Sequence, residues 1–430
     1  MNHLPVFVEQ LSTRMKYIFD VLVQNEYGLS VLFITDEDEF KKVPGAKINF
    51  SKREIKDAIQ IIPHSILSDF SIKDYPVEVY SHQSFQKIFF KTGKNEIPFD
   101  LFGASFWLLS RYEEYLPHKT DSFNRFHFKS SLAYQHNFLH LPLINIWMDK
   151  LNNLICEKYP DFKITPRTFN FISSFDVDNA FRYKNKGFIR TCAGYLLDVF
   201  HFNWKSIVDR SKVLLNKIPD PFNNFDFIIQ ANKQRNIQSI FFFLLGDYGI
   251  NDKNISATKK KFQVLIKHIG DYSAIGIHPS YASGKNLKQL KIEVSRLANI
   301  THRQVFNSRQ HFAVLKFPYT YNALLQAGIT DDYSMGYTNM NGFRASYCYP
   351  YKWYNIEEES VSSLLIHSFV FSANTVDYLK NIHQHTFIEE IKGMVEETKK
   401  FGGELISVFH NDALTPEMKL NYEAFLKLID

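Results

Sequence analysis

Cysteine is nearly missing from this chain. Cys156, Cys192 and Cys348 are the only three, odd in number and far apart. They offer no disulfide framework and no zinc-knuckle spacing, which points to a reducing compartment. Long apolar runs are missing too. No stretch of about 18 uncharged apolar residues occurs, so no membrane span is expected. The opening residues lack the basic start and unbroken apolar core of a secretory leader, because Glu9, Arg14 and Lys16 interrupt them. The expected location is therefore cytoplasmic. A strong charge of either sign is also absent. The 50 basic and 45 acidic residues net +5 over 430 positions, with no compact Lys/Arg run, which argues against a nucleic-acid partner. There is no internal repeat and no low-complexity segment.

What is present is ordinary in its balance and rich in aromatics. Hydrophobic residues make up 45% of the chain and aromatic residues 16%, a composition that suits thick cores and equally suits sugar-binding surfaces. A chain of 430 residues exceeds what one core usually serves, so two domains are expected, over 1–165 and 166–430. The first reads as mixed α/β. LSVLFITDEDEF (29–40) predicts a strand ending in acids, FDLFGASFWLLSRYEEYLP (99–117) a helix ended by Pro117, and LPLINIWMDKLNNLICEKYP (141–160) a second long helix. The SRYEEYL tail reads either as a functional segment or, more simply, as an exposed amphipathic helix end laced by i, i+3 ion pairs.

From 170 onward the rhythm becomes strand–helix alternation. Strands are expected at FNFISSF (169–175), IQSIFFFLLGD (237–247), SAIGIHPS (273–280), QHFAVLKFP (310–318), AGITDDYSMGY (327–337), HSFVFSA (367–373) and ELISVFH (404–410). Such alternation predicts a parallel sheet or a (β/α) barrel, with chemistry at the C-terminal strand ends. Polar residues cluster at those ends or at the next strand start: Asp176, Asp178, His278, Arg309, His311 and His410. A single strand-end aspartate is more often a turn residue, and a single histidine more often a structural one. Their common placement on one rim favours a site.

In order and context these residues resemble the polysaccharide deacetylase family, the carbohydrate esterases that share the chitooligosaccharide deacetylase homology domain. The resemblance covers roughly residues 168–412. It implies a distorted (β/α)7 barrel, here preceded by a smaller mixed α/β domain, which removes acetyl groups from amino sugars using a divalent metal, commonly zinc. Phe175-Asp176-Val177-Asp178 matches the first motif, making Asp176 the general base and Asp178 a metal ligand. Gly276-Ile277-His278 matches the second, making His278 a ligand; Arg309 would orient the base, and His410 would be the general acid. The chemistry is coherent. A metal lowers the pKa of water toward roughly 7, a carboxylate removes the proton, and oriented donors stabilise the tetrahedral oxyanion. Two aspartates spaced by one residue on a strand point to the same side.

One position departs from the family. Where a second histidine usually follows the first by four residues, Ala282 stands. A zinc site normally takes three protein ligands. His311 is the candidate third ligand or else a structural partner, and Asp247 is a weaker candidate. The loop ITDDYSMGYTNMNGFRAS supplies Asp332, Tyr333 and Arg344 as candidate contacts to a carbohydrate substrate, or else polar groups that satisfy the loop's own backbone. GFRASYCYPYKW and the SRYEEYL-like helix also resemble a bacterial subgroup of the family with an additional N-terminal domain. Ala282 leaves a second function class open, a degenerate barrel that binds carbohydrate without turnover. A two-carboxylate glycosidase is disfavoured, because Asp176 and Asp178, two residues apart on one strand, would lie on the same side of the scissile bond instead of flanking it.

Overall fold

The computed structural model describes residues 3–93, 95–373, 375 and 384–429. Four parallel strands open the chain: β1 (His3–Val8), β2 (Ser30–Ile34), β3 (Ile48–Phe50) and β4 (Ile59–Ile61), in the order β2-β1-β3-β4. A short antiparallel hairpin, β5 (Tyr80–His82) and β6 (Gln86–Ile88), follows. The strand expected over 29–40 stops at Ile34. Its acids instead build a helix, Glu37–Lys42: Asp36 accepts from the amide of Glu39, and Glu37, Asp38 and Glu39 occupy the first turn. A helix N-terminus carries partial positive charge, so that is where such acids are stabilised.

The helix expected over 99–117 is also shorter. It runs Leu101–Leu109, then the backbone turns left-handed at Arg111 (φ 56°) into a short 3-10 turn, Tyr112–Glu114. SRYEEYL is therefore not an exposed helix end. Arg111 and Glu114 are buried, and their i, i+3 ion pair (2.8 Å) belongs to a larger network. Arg344, 230 residues away in sequence, meets Glu114 at 2.6 Å and 3.0 Å, and Arg111 donates to the Arg344 carbonyl and pairs with Glu113 at 2.7 Å. Burial alone would raise the Glu114 pKa, but the two guanidinium groups outweigh it and hold Glu114 below the usual carboxylate value. This network fastens the N-terminal half to the loop after the central strands. Arg14 does the same elsewhere, with its Nε 2.9 Å from Glu359.

The second half is a nine-stranded sheet. It contains β7 (Asn170–Val177), β8 (Gln238–Phe243), β9 (Ala274–Ile277), β10 (Asn307–Ser308), β11 (Asp331–Met335), β12 (Tyr351–Asn355), β13 (Ser360–Ser368), β14 (Phe371–Ser372) and β15 (Glu404–His410). Their order is β12-β13-β11-β10-β9-β8-β7-β15-β14, parallel except for the β12–β13 hairpin. The sheet curls. β13 pairs with β11 and β14 with β15, although only Phe369 and Val370 separate β13 from β14. The amide of Phe369 donates to Met335 and that of Val370 to Ile406, so one short ribbon stitches the two ends of the sheet together. Inside the curl, Ile240, Phe242, Tyr333, Phe369, Ile406 and Val408 pack as a separate apolar cluster. Strands covered on both faces read as near-continuous apolar runs, which is why QSIFFF and ELISVF look as they do.

One expected strand is absent. QHFAVLKFP (310–318) is a loop, with a single 3-10 turn at His311–Ala313. Phe312 (φ 58°) and Ala313 (φ 50°) both adopt the left-handed region, which no strand accommodates. The strand lies earlier, at Asn307–Ser308, so Arg309 and His311 follow a C-terminal strand end instead of preceding a strand. Gly276 permits this. A Cβ there would lie 2.6 Å from the Phe242 ring and 2.8 Å from the Asn307 carbonyl, and only glycine lets β10 approach β9.

Removing one partner from a buried charge network leaves the others uncompensated. Glu114→Ala is expected to destabilise the protein by about 3–5 kcal/mol, read from urea unfolding midpoints. The exposed ion pair Lys41–Glu37 serves as the control, and its Lys41→Ala variant is expected to shift stability by less than about 1 kcal/mol.

Candidate active site

β7 and β15 run in register with Asp176 opposite His410, and β8 and β9 bring the next strand ends alongside. Asp176 is buried. Its Oδ1 sits 3.1 Å from Arg309 Nη1, which also donates to Ser174 Oγ at 2.7 Å, while Arg309 Nε donates to the Tyr333 carbonyl at 2.9 Å. The guanidinium stacks over Phe242, 4.6 Å from the ring centre. Arg309 thus crosses the interior of the curl and pins Asp176 in one orientation. Asp176 and Asp178 face the same way, as a two-residue strand period requires: Nε2 of His410 lies 3.9 Å from an oxygen of each.

Asp178 also meets two other histidines. Its Oδ1 is 3.2 Å from His278 Nε2, and its Oδ2 is 3.5 Å from His311 Nε2. One ligand atom from each of Asp178, His278 and His311 lies within 4.8 Å of the others, the only such trio among the described residues. Asp178 Oδ1 and His278 Nε2 are buried and make no hydrogen bond. Two ligands held about 2.1 Å from a tetrahedral zinc stand about 3.4 Å apart, close to the carboxylate–imidazole separations found here. The far side of each ring is anchored: His278 Nδ1 contacts the Arg309 carbonyl at 2.5 Å, and His311 Nδ1 contacts Asp252 Oδ1 at 2.9 Å. An anchored outer nitrogen fixes the ring and presents Nε2 inward, the arrangement that metal-ligating histidines use. These residues fit a divalent cation.

The geometry also accounts for Ala282. Asp252 accepts from the backbone amides of Tyr281 (2.8 Å) and Ala282 (3.2 Å), so this turn contributes amides and no side chain. Asp252 in turn holds His311. A third donor thus arrives from the 309–313 loop. That loop is fixed by Asp332, whose carboxylate accepts from Ser334 Oγ at 2.7 Å, while Ser334 Oγ accepts from the Gln310 amide at 2.8 Å. Sequence reasoning missed Asp252 because it lies in the loop GDYGINDKN, with no strand-end signal. Asp247 is not part of the cluster; its largely exposed carboxylate pairs with Arg296 at 2.8 Å.

The three expected substrate contacts are all buried and engaged internally. Asp332 supports Ser334, and burial raises its pKa to about 6. Tyr333 stacks on His367 with ring centres 4.4 Å apart, and Arg344 pairs with Glu114. The wall beside His311 comes from elsewhere. A cavity of about 390 Å³ opens there, lined by Phe123, Phe126, Tyr281, Lys285 and Phe317 among others. Phe123 stacks on Phe312 at 4.5 Å, and Arg125 Nη1 donates to the Phe312 carbonyl at 2.6 Å. Phe312 in turn stacks on His311 at 3.9 Å. The N-terminal half therefore braces the His311 loop.

Burial alone would raise the Asp178 pKa and lower that of His311. Their mutual attraction, joined by His278 and Asp252, reverses both, holding Asp178 well below 3.8 and lifting His311 to about 9. Asp252 is likewise lowered: its burial is outweighed by His311 and the two turn amides.

Residues 4–160 match a protein-family model described as a family of unknown function, DUF7033. No curated protein matches the chain. Among solved structures, a protein assigned as a polysaccharide deacetylase from Mycobacterium smegmatis aligns at 12% identity over 62% of this chain and 89% of its own, with a TM-score of 0.38. A polysaccharide deacetylase from Bacillus cereus aligns at 12% identity over 61% and 85%, with a TM-score of 0.30. A CE4 family pseudoenzyme from Bacillus anthracis aligns at 9% identity over 61% and 62%, also with a TM-score of 0.30. Likeness at this level leaves the chemistry to be read from the chain's own residues.

In chelator-treated protein the cluster's stabilisation follows from those shifts. His311 has a raised pKa, so its contribution is complete below 6.5 and is lost as pH rises through about 9. Asp178 and Asp252 have lowered pKa values, so theirs is complete above 3.8 and is lost as pH falls below it. Urea midpoints measured across pH are expected to show both limbs, and His311→Gln is expected to flatten the alkaline one.

Proposed function

We propose that the chain is a metal-dependent hydrolase that removes an N-acetyl group from an amino-sugar-containing glycan or glycan precursor. One observation carries this reading. The residues matching the deacetylase motifs, Asp176, Asp178, His278, Arg309 and His410, converge on one rim, and His311 joins them where Ala282 leaves a gap. On this reading the ribbon 360–372 counts as one stave of the family's seven-membered barrel, and residues 1–165 form an accessory domain.

Asp178, His278 and His311 would hold the cation, for which zinc is our assignment. When bound, a divalent ion supplies Lewis acidity, polarising a carbonyl oxygen and making water a stronger acid. The rest falls to the chain's own groups. Asp176, oriented by Arg309, takes a proton from the attacking water as its oxygen adds to the acetyl carbonyl carbon. The tetrahedral adduct collapses by breaking the C–N bond. His410, which faces both carboxylates, acts as the general acid and gives a proton to the departing amine, and acetate leaves. Asp252 keeps the His311 ring turned inward.

Purified protein is expected to contain about one equivalent of divalent metal by elemental analysis, and Asp178→Ala is expected to lose it. Acetate release from a panel of acetylated amino sugars should fall by about 10²–10⁴ in Asp176→Asn, with metal content kept. Asp252→Asn should weaken metal binding by about 10–100-fold. A wild-type protein that holds no metal and releases no acetate from any panel member would sink the proposal.

A further inference from the structure

The helix Phe188–Phe200 is built inside out. None of its residues is buried, yet Phe188 and Ile189 are 84% and 83% exposed, Leu196 is 71% exposed and Phe200 is 76% exposed. Its partner helix, Trp204–Leu214, packs against it through polar groups. Asp198 pairs with Arg210 at 2.7 Å, and the Tyr195 and Ser211 hydroxyls meet at 2.8 Å. The apolar stripe therefore faces outward. At the hairpin tip Phe202 is 78% exposed and Trp204 is 61% exposed. An exposed apolar surface on this scale marks an interaction site.

Charge identifies the partner. Residues 182–217 hold eight Lys and Arg against two Asp, while the whole chain nets only +5. The hairpin is thus distinctly basic, in a chain that is near balance as a whole. Exposed Phe, Leu and Trp in the same hairpin as the exposed Arg182, Lys205, Lys212 and Lys217 is the make-up of a segment that lies in a lipid interface and is drawn to anionic headgroups. A second copy of the chain covers the face less well, since a symmetric contact would bring two strongly basic hairpins together.

The foot of the hairpin is tied to the candidate site. Asn179, next to Asp178, donates to the Lys253 carbonyl at 2.9 Å, and Arg190 donates to the Asn254 carbonyl at 3.1 Å, two residues past Asp252. Asn411, next to His410, donates to the Asn179 carbonyl at 3.1 Å. We propose that this helical hairpin docks the protein on an anionic bilayer surface, which puts the rim of the curled sheet at that surface.

Full-length protein mixed with phosphatidylcholine vesicles, with and without phosphatidylglycerol, tests this without any turnover. Wild type is expected to co-sediment with the phosphatidylglycerol vesicles and to be released by salt. The chain's other three Trp residues are buried, so Trp204 alone should give a blue-shifted emission on binding, which Trp204→Phe removes while binding persists. The triple variant Phe188→Ser, Phe200→Ser, Trp204→Ser changes only exposed positions and should partition on the order of tenfold less. Its circular dichroism and thermal unfolding establish that it is folded. The proposal is overturned if wild type stays in the supernatant, if the folded triple variant co-sediments equally well, or if light scattering finds a wild-type dimer that the triple variant converts to monomer.

Discussion

Two carboxylates two residues apart at the mouth of a buried strand repel each other and lose most of their water. Asp176 and Asp178 persist there because cationic or hydrogen-bonding groups reach them from three other segments: His278, the loop carrying Arg309 and His311, and His410. A charge removed from water is tolerable only when it is met by partners in good geometry. Much of the surrounding architecture can be traced to that need. Arg309 can span the curl because β10 ends after two residues and releases the chain at that point. The loop that follows must present His311 without collapsing, so Ser334 and Asp252 hold it and Phe312 stacks on the His311 ring. The left-handed backbone at Phe312 is the conformational cost of that delivery, and Arg125 and Phe123, from the N-terminal half, brace it.

The sequence showed some of these parts and concealed others for physical reasons. Asp176, Asp178, His278 and His410 sit at the ends of strongly apolar strands, and period-two alternation placed them on a rim. Arg309 and His311 were visible as residues, yet the strand beside them was misplaced. QHFAVLKFP has strand-like composition, but two left-handed residues stop it from pairing, and composition does not encode φ. Asp252 gave no signal, because its role depends on a turn 30 residues later in the chain folding back to meet it. The polar loop 329–346 was ambiguous for the opposite reason. Asp332 and Arg344 look like surface chemistry in a polar, glycine-punctuated stretch, but each is buried with a partner that only the fold supplies.

SRYEEYL shows the same limit from the N-terminal side. An i, i+3 spacing of Arg111 and Glu114 is ambiguous between an exposed ion pair and a buried one. Tertiary context decides it: Arg344 arrives from the far half of the chain, and three charged groups then compensate one another in a space too dry for any of them alone. The curled sheet has a comparable device at the starts of β11 and β15. His367 bridges Asp331 at 3.2 Å and Glu404 at 2.7 Å, linking strands from the two ends of the sheet order, and these partners lift its pKa to about 9 against the opposing effect of burial. In this protein buried ion pairs join segments distant in sequence, and the aromatic core fills the space between them.

Whole-chain averages hide this kind of locality. A net charge of +5 over 430 residues looks unremarkable, as does a mean hydropathy of −0.24. Both averages conceal residues 182–217, where basic and large apolar side chains occur together and many of both kinds are exposed. Coulomb attraction to a surface weakens beyond about 10 Å at moderate salt, so what matters for docking is charge density within that reach and not the total. Apolar burial is likewise local, set by the area one face can present. The hairpin combines both, and its Arg190 donates to the Asn254 carbonyl, two residues past Asp252. Its inverted amphipathicity is better explained by what covers it than by anything it packs against within the chain.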